Sequence, residues 1–176
     1  MKFLLYISAA ALVLLLIYRW RHSKKRHQWY IRRAMKVYDR INKERDRYTS
    51  AQVFRYLRHV NPYVFEELLL LALSHKGYKV IHNRRYSGDG GIDGRVVING
   101  KRIPIQAKRY TSYIRREHVV AFARLVQIHH KPFGLFIHTG KTGSVAGDPS
   151  CDYVRIVSGE NLLNLLYKDR PFIIPS

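Results

Sequence analysis

The dipeptide Asn99-Gly100 lies between two segments in which apolar and polar residues alternate, and it constrains the fold more than any other feature of the chain. Asn-Gly is the strongest two-residue signal for a β-hairpin. A two-residue turn pairs Ile98 with Lys101, and the same register places Asp93 opposite Gln106. Because side chains alternate between the two sides of a strand, the hairpin then has one apolar and one polar face. A shift of one residue would mix the faces, which supports this register.

The polar face of the hairpin is predicted to bring three reactive side chains together. Directly paired Cβ atoms lie about 4.5–5.5 Å apart and diagonal ones about 7–8 Å apart. We therefore expect Asp93, Gln106 and Lys108 to converge at the end of the hairpin far from the turn. A carboxylate and a carbonyl oxygen can hold a hard divalent cation such as Mg²⁺, and an ammonium group can stabilise negative charge. This combination predicts hydrolysis of a phosphodiester.

The segments around the hairpin predict an α/β domain over residues 61–176. Asn61 followed by Pro62 is typical of a helix start, since Asn caps free backbone N–H groups and proline suits the first turn. An apolar run follows and stops at Gly77, where glycine can end the helix. The remaining patterns give the order helix, three strands, helix, two strands, helix. We expect an α/β sandwich with a central mixed sheet.

The chain is strongly basic, with 32 Lys and Arg against 12 Asp and Glu and a net charge of +20. Such a charge favours polyanions as partners, which here means DNA or another nucleic acid, or an anionic membrane surface. Residues 19–60 hold 14 of the basic residues and 3 of the acidic ones. The excess is therefore densest before the α/β domain.

Residues 21–60 are predicted to form a basic helical connector. Apolar residues recur at three- and four-residue steps, and Thr49 or Ser50 can cap a second short helix. The connector either lies beside anionic lipid or contacts phosphates non-specifically, and the sequence leaves both open. The recurring residues are Tyr30, Ala34, Val37, Tyr38 and Ile41 in the first helix, and Val53, Tyr56, Leu57 and Val60 in the second.

Residues 3–18 contain neither charge nor proline, and we expect them to anchor the chain in a membrane. Sixteen helical residues span about 24 Å, which is short for a hydrocarbon core of about 30 Å, but Lys2 and Arg19 can extend to the interface. A cleaved signal peptide is the competing interpretation, although basic residues rather than a cleavage site follow the run. We expect a single-pass anchor over residues 1–20 in the cell inner membrane, with the domain in the cytoplasm.

Three motifs resemble the Mrr-type branch of the restriction-endonuclease-like nucleases. They are Phe65-Glu66 in the first helix of the domain, the SGDGGID loop at residues 87–93, and Gln106-Ala107-Lys108 in the hairpin. The later segments GLFIHTGKTG and VRIVSGENLLNLL are also similar to that branch. The resemblance extends over about residues 61–167 and implies a metal-dependent nuclease in which glutamine replaces the second acid of an acid-x-Lys motif.

The resemblance also implies a role for each motif residue. Asp93 would be the central metal ligand, and Glu66 would complete the site from the helix. Gln106 would take the second acidic position, and the Ala107 backbone carbonyl would be a further ligand. Lys108 would be the catalytic lysine. The implied ion is Mg²⁺, with Mn²⁺ as a substitute.

From the residues alone, the helix offers either Glu66 or Glu67 as the second carboxylate of the metal site; with Glu66 assigned, Glu67 is a spare carboxylate about 100° around the helix. Several other polar residues are assigned ordinary roles. Asp89 is interpreted as a turn residue in the glycine-rich loop. His138 has no partner at metal-ligand spacing and is interpreted as an ordinary polar residue. Cys151 is the single cysteine of the chain, which excludes an intramolecular disulfide.

The sequence as a whole predicts a membrane-tethered, Mg²⁺-dependent DNA endonuclease. We expect no nucleotide cofactor, because Gly140-Lys141-Thr142 lacks the preceding glycine that a phosphate-binding loop requires; Thr139 or Lys141 instead touches DNA or shapes a loop. One alternative is a catalytically silent DNA-binding or scaffold protein, and another is a structure-specific nuclease for branched DNA or RNA. Cutting both strands would favour a homodimer.

Overall fold

A computed structural model describes residues 2–83, 90–147 and 151–175 of the chain. Before the hairpin, the helices are α1 (Lys2–Lys43), α2 (Ser50–His59) and α3 (Pro62–His75). The strands of the first half of the sheet are β1 (Lys79–His82), β2 (Gly94–Ile98) and β3 (Lys101–Lys108). Helix α4 (Arg116–Ile128), β4 (Gly134–His138), a short 3-10 helix (Gly143–Gly147), β5 (Val154–Val157) and α5 (Gly159–Leu166) follow.

The five described strands form one mixed sheet in the order β1-β2-β3-β4-β5. Strands β1, β2 and β3 are antiparallel neighbours, whereas β3, β4 and β5 are parallel. From α3 onward, the order helix, three strands, helix, two strands, helix agrees with the prediction. The α/β class and the central mixed sheet are therefore confirmed.

The β2–β3 hairpin has the predicted register. Ile98 pairs with Lys101, and Val96 pairs with Ile103. The turn residues Asn99 and Gly100 have φ angles of +49° and +75°, the left-handed conformation that a tight two-residue hairpin turn requires. At the other end, the Asp93 N–H donates a 2.8 Å hydrogen bond to the Ile105 carbonyl. Gly94 pairs with the same residue, so the one-to-one register ends there, and the pairing of Asp93 with Gln106 stays a prediction.

The sheet has a separate hydrophobic cluster on each face. The first lies between the sheet and α1, α2, α3 and α5, and it contains Val96, Ile103 and Ile105 of the hairpin. The second lies under α4 and contains Phe122 and Phe136. Since Gln106 pairs with Phe136 in the parallel β3–β4 ladder, the polar face of the hairpin lies on the α4 side of the sheet.

The basic helices before residue 61 pack into the first cluster. Ala34, Val37, Tyr38 and Ile41 of α1 are all buried, as their spacing predicts. Helix α2 begins with a capping box in which Thr49 and Gln52 bond each other's backbone N–H groups. The domain boundary predicted at residue 61 stays a prediction, although side chains on both sides of it share one cluster.

The first helix does not support the predicted membrane location. Within residues 2–83, 90–147 and 151–175, no helix is long and apolar enough to cross a membrane. The prediction of an inner-membrane protein with a cytoplasmic domain is therefore wrong, and the single-pass anchor on which it depended is unsupported. The physical reason is length: residues 3–18 span about 24 Å, less than a hydrocarbon core of about 30 Å, and α1 continues without a break into the basic segment.

Candidate active site

The carboxylate of Asp93 is oriented by the backbone of the neighbouring strand. Asp93 is the residue before β2, and its Oδ2 accepts a 2.7 Å hydrogen bond from the Ala107 N–H of β3. Such a bond to an ionised carboxylate is stronger than one between neutral groups. Asp93 is half-buried, so its carboxylate is fixed without being sealed from solvent.

Gln106 is a buried side chain with one oxygen left unbonded. Its Nε2 donates a 2.8 Å hydrogen bond to the Gly91 carbonyl, and the residue is only 8% exposed. Within the described ranges, its Oε1 has no hydrogen-bond partner. Leaving a buried acceptor unsatisfied costs about 1–3 kcal/mol, so an oxygen placed in this way calls for a specific partner. Among possible partners, a hard cation suits an amide oxygen well.

Gly91 allows Gln106 to take this position. Its φ is +93°, and a Cβ built there would lie 2.7 Å from Nε2 of Gln106. Glycine is therefore required both by the backbone conformation and by the close approach of the amide. The earlier part of the predicted loop, including Ser87, Gly88 and Asp89, lies outside the described residues, and so does the predicted turn role of Asp89.

Lys108 ends β3 two residues after Gln106, and strand alternation puts both on the same face. Its backbone carbonyl accepts a 3.2 Å hydrogen bond from the Thr139 N–H, and it pairs with His138 of β4. Lys108 is half-buried. Asp93, Gln106 and Lys108 therefore lie at the same end of the hairpin, and their action as one site stays a prediction.

The acid of α3 reaches the same end of the sheet by helix packing. A Cβ built at Gly94 would lie 2.7 Å from Leu70 Cδ2, so α3 touches β2 directly after Asp93. Glu66 lies one helical turn before Leu70 and on the same face of α3, because residues four apart are neighbours on a helix. Glu66 is half-buried. The packing thus puts Glu66 on the side of α3 that faces β2, and its approach to Asp93 stays a prediction.

Glu67, the spare carboxylate of α3, is buried and lies between two histidines. It is 3% exposed, and its Oε2 lies 2.7 Å from Nδ1 of His82 while its Oε1 lies 3.4 Å from Nδ1 of His27. Burial of a carboxylate requires such partners. Sequence analysis missed these contacts, because the three residues are distant along the chain and carry no local signal.

A buried histidine lies beside the lysine. His138 is fully buried, and its Nδ1 accepts a 3.2 Å hydrogen bond from the Gly140 N–H. Burial lowers the pKa of His138 from 6.5 to about 4, since desolvation disfavours the charged ring. His138 is therefore neutral at pH 7, and its polar environment includes Thr142, whose Oγ1 lies 3.3 Å from Nε2.

The loop after β4 is held by the second helix. Arg58 of α2 donates a 2.8 Å hydrogen bond to the Thr139 carbonyl, and Arg109 donates to the carbonyls of Arg58 and Val60. Thr139 is 1% exposed and bonds the Tyr110 carbonyl. Of the two roles predicted for Thr139, the structure shows that it shapes the loop.

The donor set at the end of the hairpin suits a hard divalent ion. Asp93 and Glu66 offer carboxylate oxygens, Gln106 offers an amide oxygen and Ala107 offers a backbone carbonyl. These are the ligands that Mg²⁺ and Mn²⁺ prefer over nitrogen and sulfur donors. The buried Oε1 of Gln106, which has no hydrogen-bond partner among the residues that the structure describes, is the observation that fits such an ion.

The mixed five-stranded sheet with helices is consistent with a restriction-endonuclease-like fold. A restriction endonuclease family, Mrr_cat, matches residues 57–166. The chain belongs to this family, which confirms the resemblance seen in the sequence. No curated protein and no solved structure matches the chain.

Proposed function

We propose that the protein is a metal-dependent DNA endonuclease that hydrolyses phosphodiester bonds at the end of the β2–β3 hairpin. The observation that carries the proposal is the pairing of a fixed carboxylate with an unbonded oxygen. Asp93 is oriented by the Ala107 N–H, and Gln106, the residue before Ala107, keeps a buried Oε1 without a partner among the described residues. A bound cation would give that oxygen its partner.

The proposed ligands are Asp93, Glu66, the Gln106 amide oxygen and the Ala107 backbone carbonyl. Mg²⁺, or Mn²⁺ in its place, would supply two things when bound: neutralisation of charge on the phosphate and a more acidic water. The two acids bring two negative charges to the site, which matches the charge of the ion. Gln106 adds an oxygen without adding a third negative charge.

The residues of the chain supply the positioning. The Ala107 N–H holds the Asp93 carboxylate in one orientation, and the Gly91 carbonyl holds the Gln106 amide so that its oxygen, not its nitrogen, is left for a ligand. Lys108 provides an ammonium group on the same face, which can donate a hydrogen bond to the attacking water or to the phosphate oxygens. Such preoriented groups stabilise developing charge more effectively than water does.

DNA is the proposed substrate because the family is a restriction endonuclease family and the chain carries a charge of +20. Non-specific binding to DNA is dominated by contacts to phosphate, and its affinity falls steeply as salt concentration rises. Branched DNA and RNA carry the same phosphates. A homodimer, which would place two sites on two strands, stays a prediction.

The direct test is nicking of supercoiled plasmid by the full chain. We expect nicked product in Mg²⁺ and in Mn²⁺, and none when EDTA is present. Lys108→Met is expected to lower the cleavage rate at least about 100-fold, in the range typical for loss of a charge-stabilising group. The matched control is Lys101→Met, because Lys101 is an exposed lysine of the same strand.

The results separate the alternatives. Full activity of Lys108→Met would reject the assigned site. A protein that shifts DNA in gels but cuts nothing with either metal would be the catalytically silent DNA-binding protein. Parallel assays on duplex, branched and single-stranded DNA and on RNA measure the substrate preference, and faster cleavage of RNA than of every DNA would overturn the proposed substrate.

A further inference from the structure

His27, Glu67 and His82 form a cluster that shares no side chain with the proposed Asp93 site. They come from three elements: α1, α3 and the last residue of β1. Each offers one ligand atom, and these three atoms all lie within 4.8 Å of one another. The carboxylate lies between the two rings, since one of its oxygens faces each histidine Nδ1.

The three side chains of the cluster are buried to different extents. Glu67 is 3% exposed, whereas His27 and His82 are 29% and 37% exposed. The two rings are nearly perpendicular, with centroids 5.8 Å apart. The carboxylate is therefore held inside the fold while both imidazoles border solvent, so an ion has a route to the three ligand atoms.

We propose that His27, Glu67 and His82 bind a divalent transition-metal ion of the zinc type. Two imidazole nitrogens and one carboxylate oxygen form one of the common protein ligand sets for Zn²⁺, with water in the fourth position. Nitrogen donors favour Zn²⁺ over Mg²⁺. The ion therefore differs in kind from the one proposed for the oxygen ligands around Asp93.

The distances are close to those that zinc needs. With bonds of about 2.0–2.2 Å, tetrahedral ligand atoms lie roughly 3.4 Å apart. The two histidines face different oxygens of Glu67: Nδ1 of His27 lies 3.4 Å from Oε1, and Nδ1 of His82 lies 2.7 Å from Oε2. The atoms farthest apart, within 4.8 Å, need to approach by about 1.4 Å or less. Small rotations of partly exposed rings can provide this change.

The position of the cluster indicates what the ion would do. His27 lies before the span that matches the nuclease family, whereas Glu67 and His82 lie inside it. A bound ion would therefore link α1, through His27, to α3 and β1, through Glu67 and His82. Glu67 directly follows Glu66, and His82 pairs with Gly94, the residue after Asp93. The ion would stabilise the framework that carries both catalytic acids without belonging to the catalytic site.

A plain hydrogen-bonded cluster is the competing explanation. The hydrogen bond to Glu67 raises the pKa of His82 above its ordinary 6.5, so protons compete with a metal at neutral pH. Metal binding is therefore measured at pH 8 on the full, untagged chain after removal of bound metal. Isothermal titration with Zn²⁺ gives the number of ions and the affinity, and visible absorption with Co²⁺ reports nitrogen ligands and tetrahedral geometry.

We expect one tight Zn²⁺ per chain and a rise in the midpoint of thermal unfolding when it binds. His27→Gln is expected to lower the affinity for Zn²⁺ at least about 10-fold, because loss of a residue that only hydrogen-bonds a metal ligand already lowers affinity by that much. His129→Gln is the matched control, since His129 is exposed at the end of α4. Asp93→Asn should retain the tight Zn²⁺ ion, which separates this site from the catalytic one.

Two results would overturn the proposal. One is an absence of tight Zn²⁺ binding and of tetrahedral Co²⁺ absorption in the unaltered protein, which requires no variant to fold. The other is unchanged Zn²⁺ affinity in both His27→Gln and His82→Gln, with circular dichroism showing that each variant is folded. Loss of Zn²⁺ binding in Asp93→Asn would assign the ion to the catalytic site and would equally contradict the proposal.

Discussion

The carboxylate of Asp93 and the backbone N–H of Ala107 are joined by a 2.7 Å hydrogen bond between neighbouring strands. The proposed central ligand is thus oriented by backbone, which substitution of a side chain on β3 does not remove. Its position and its charge can therefore be changed separately, because asparagine retains an oxygen that accepts the bond and alanine does not.

The first prediction uses this difference at Asp93. We expect Asp93→Asn and Asp93→Ala both to lose plasmid cleavage, since both lose the negative charge. Only Asp93→Ala leaves the Ala107 N–H without its acceptor, which lowers the free energy of unfolding by about 1 kcal/mol more than Asp93→Asn does. Activity assays and urea denaturation of the two variants measure the two effects. Equal stabilities would show that the hydrogen bond contributes nothing to the fold.

The second prediction concerns the contact between Gly91 and Gln106. A Cβ at residue 91 would lie 2.7 Å from Nε2 of Gln106, whereas a Cβ at Gly100 meets nothing within 4 Å. Both glycines have positive φ, so Gly91→Ala and Gly100→Ala share the backbone strain of about 1–3 kcal/mol. Only Gly91→Ala displaces the amide of Gln106. We expect its cleavage rate to be at least about 10-fold lower than that of the unaltered protein, because misplaced active-site groups slow catalysis by this much or more.

The paired measurement separates strain from displacement. Cleavage rates are compared at equal folded fractions, which denaturation curves provide for each variant. If the cleavage rates of Gly91→Ala and Gly100→Ala are the same, then the position of the Gln106 amide has no bearing on catalysis.

The third prediction concerns acid stability and His138. Its pKa is about 4 in the folded protein and ordinarily 6.5. Below pH 6.5 the unfolded chain binds a proton at this residue before the folded chain does, so stability is present above pH 6.5 and is lost as the pH falls toward 4. A shift of this size corresponds to about 3 kcal/mol over that interval.

Denaturation at a series of pH values tests this expectation. His138→Asn keeps an oxygen that can accept from the Gly140 N–H but does not titrate, so its stability should fall less between pH 6.5 and 4 than that of the unaltered protein. The control is His130→Asn, because His130 is exposed and has a φ of +49°, which asparagine tolerates. Parallel pH curves for all three proteins would contradict the assigned pKa.

The fourth prediction concerns the attachment of α1. The Asn42 amide donates to the Leu166 carbonyl at 3.1 Å and accepts from the Lys168 N–H at 2.8 Å. We expect Asn42→Ala to lower the free energy of unfolding by about 1–3 kcal/mol, since two contacts between α1 and the end of α5 are lost. Lys43→Ala controls for the change in helix propensity, because Lys43 is exposed. Equal unfolding midpoints in urea would show that this contact does not hold α1 in place.

Local patterns were sufficient to predict the hairpin. The turn dipeptide fixes the register, and strand alternation then fixes which side chains share a face, so the pairs from Ile98–Lys101 to Gly94–Ile105 could be predicted from sequence alone. The helix caps were predictable for the same reason, since Thr49 and Asn61 bond backbone groups only a few residues away. These features depend on neighbours in the chain.

Features that depend on distant packing could not be predicted. The partners of Glu67 come from α1 and β1, and only the folded structure brings them together. The complete burial of His138 likewise follows from packing of the sheet. The membrane prediction failed for a different reason. It relied on the apolar character of residues 3–18 and gave too little weight to the short length of that segment within one continuous helix.

Helix α1 is unbroken over 42 residues, and its two halves have different surroundings. Leu14 in the first half is 66% exposed, while Tyr38, about 36 Å further along the axis, stacks on His75 of α3 with a centroid separation of 4.9 Å. A partner that contacts the exposed side chains near Leu14 would therefore bind the same helix that packs, through Tyr38, against α3, the element that carries Glu66.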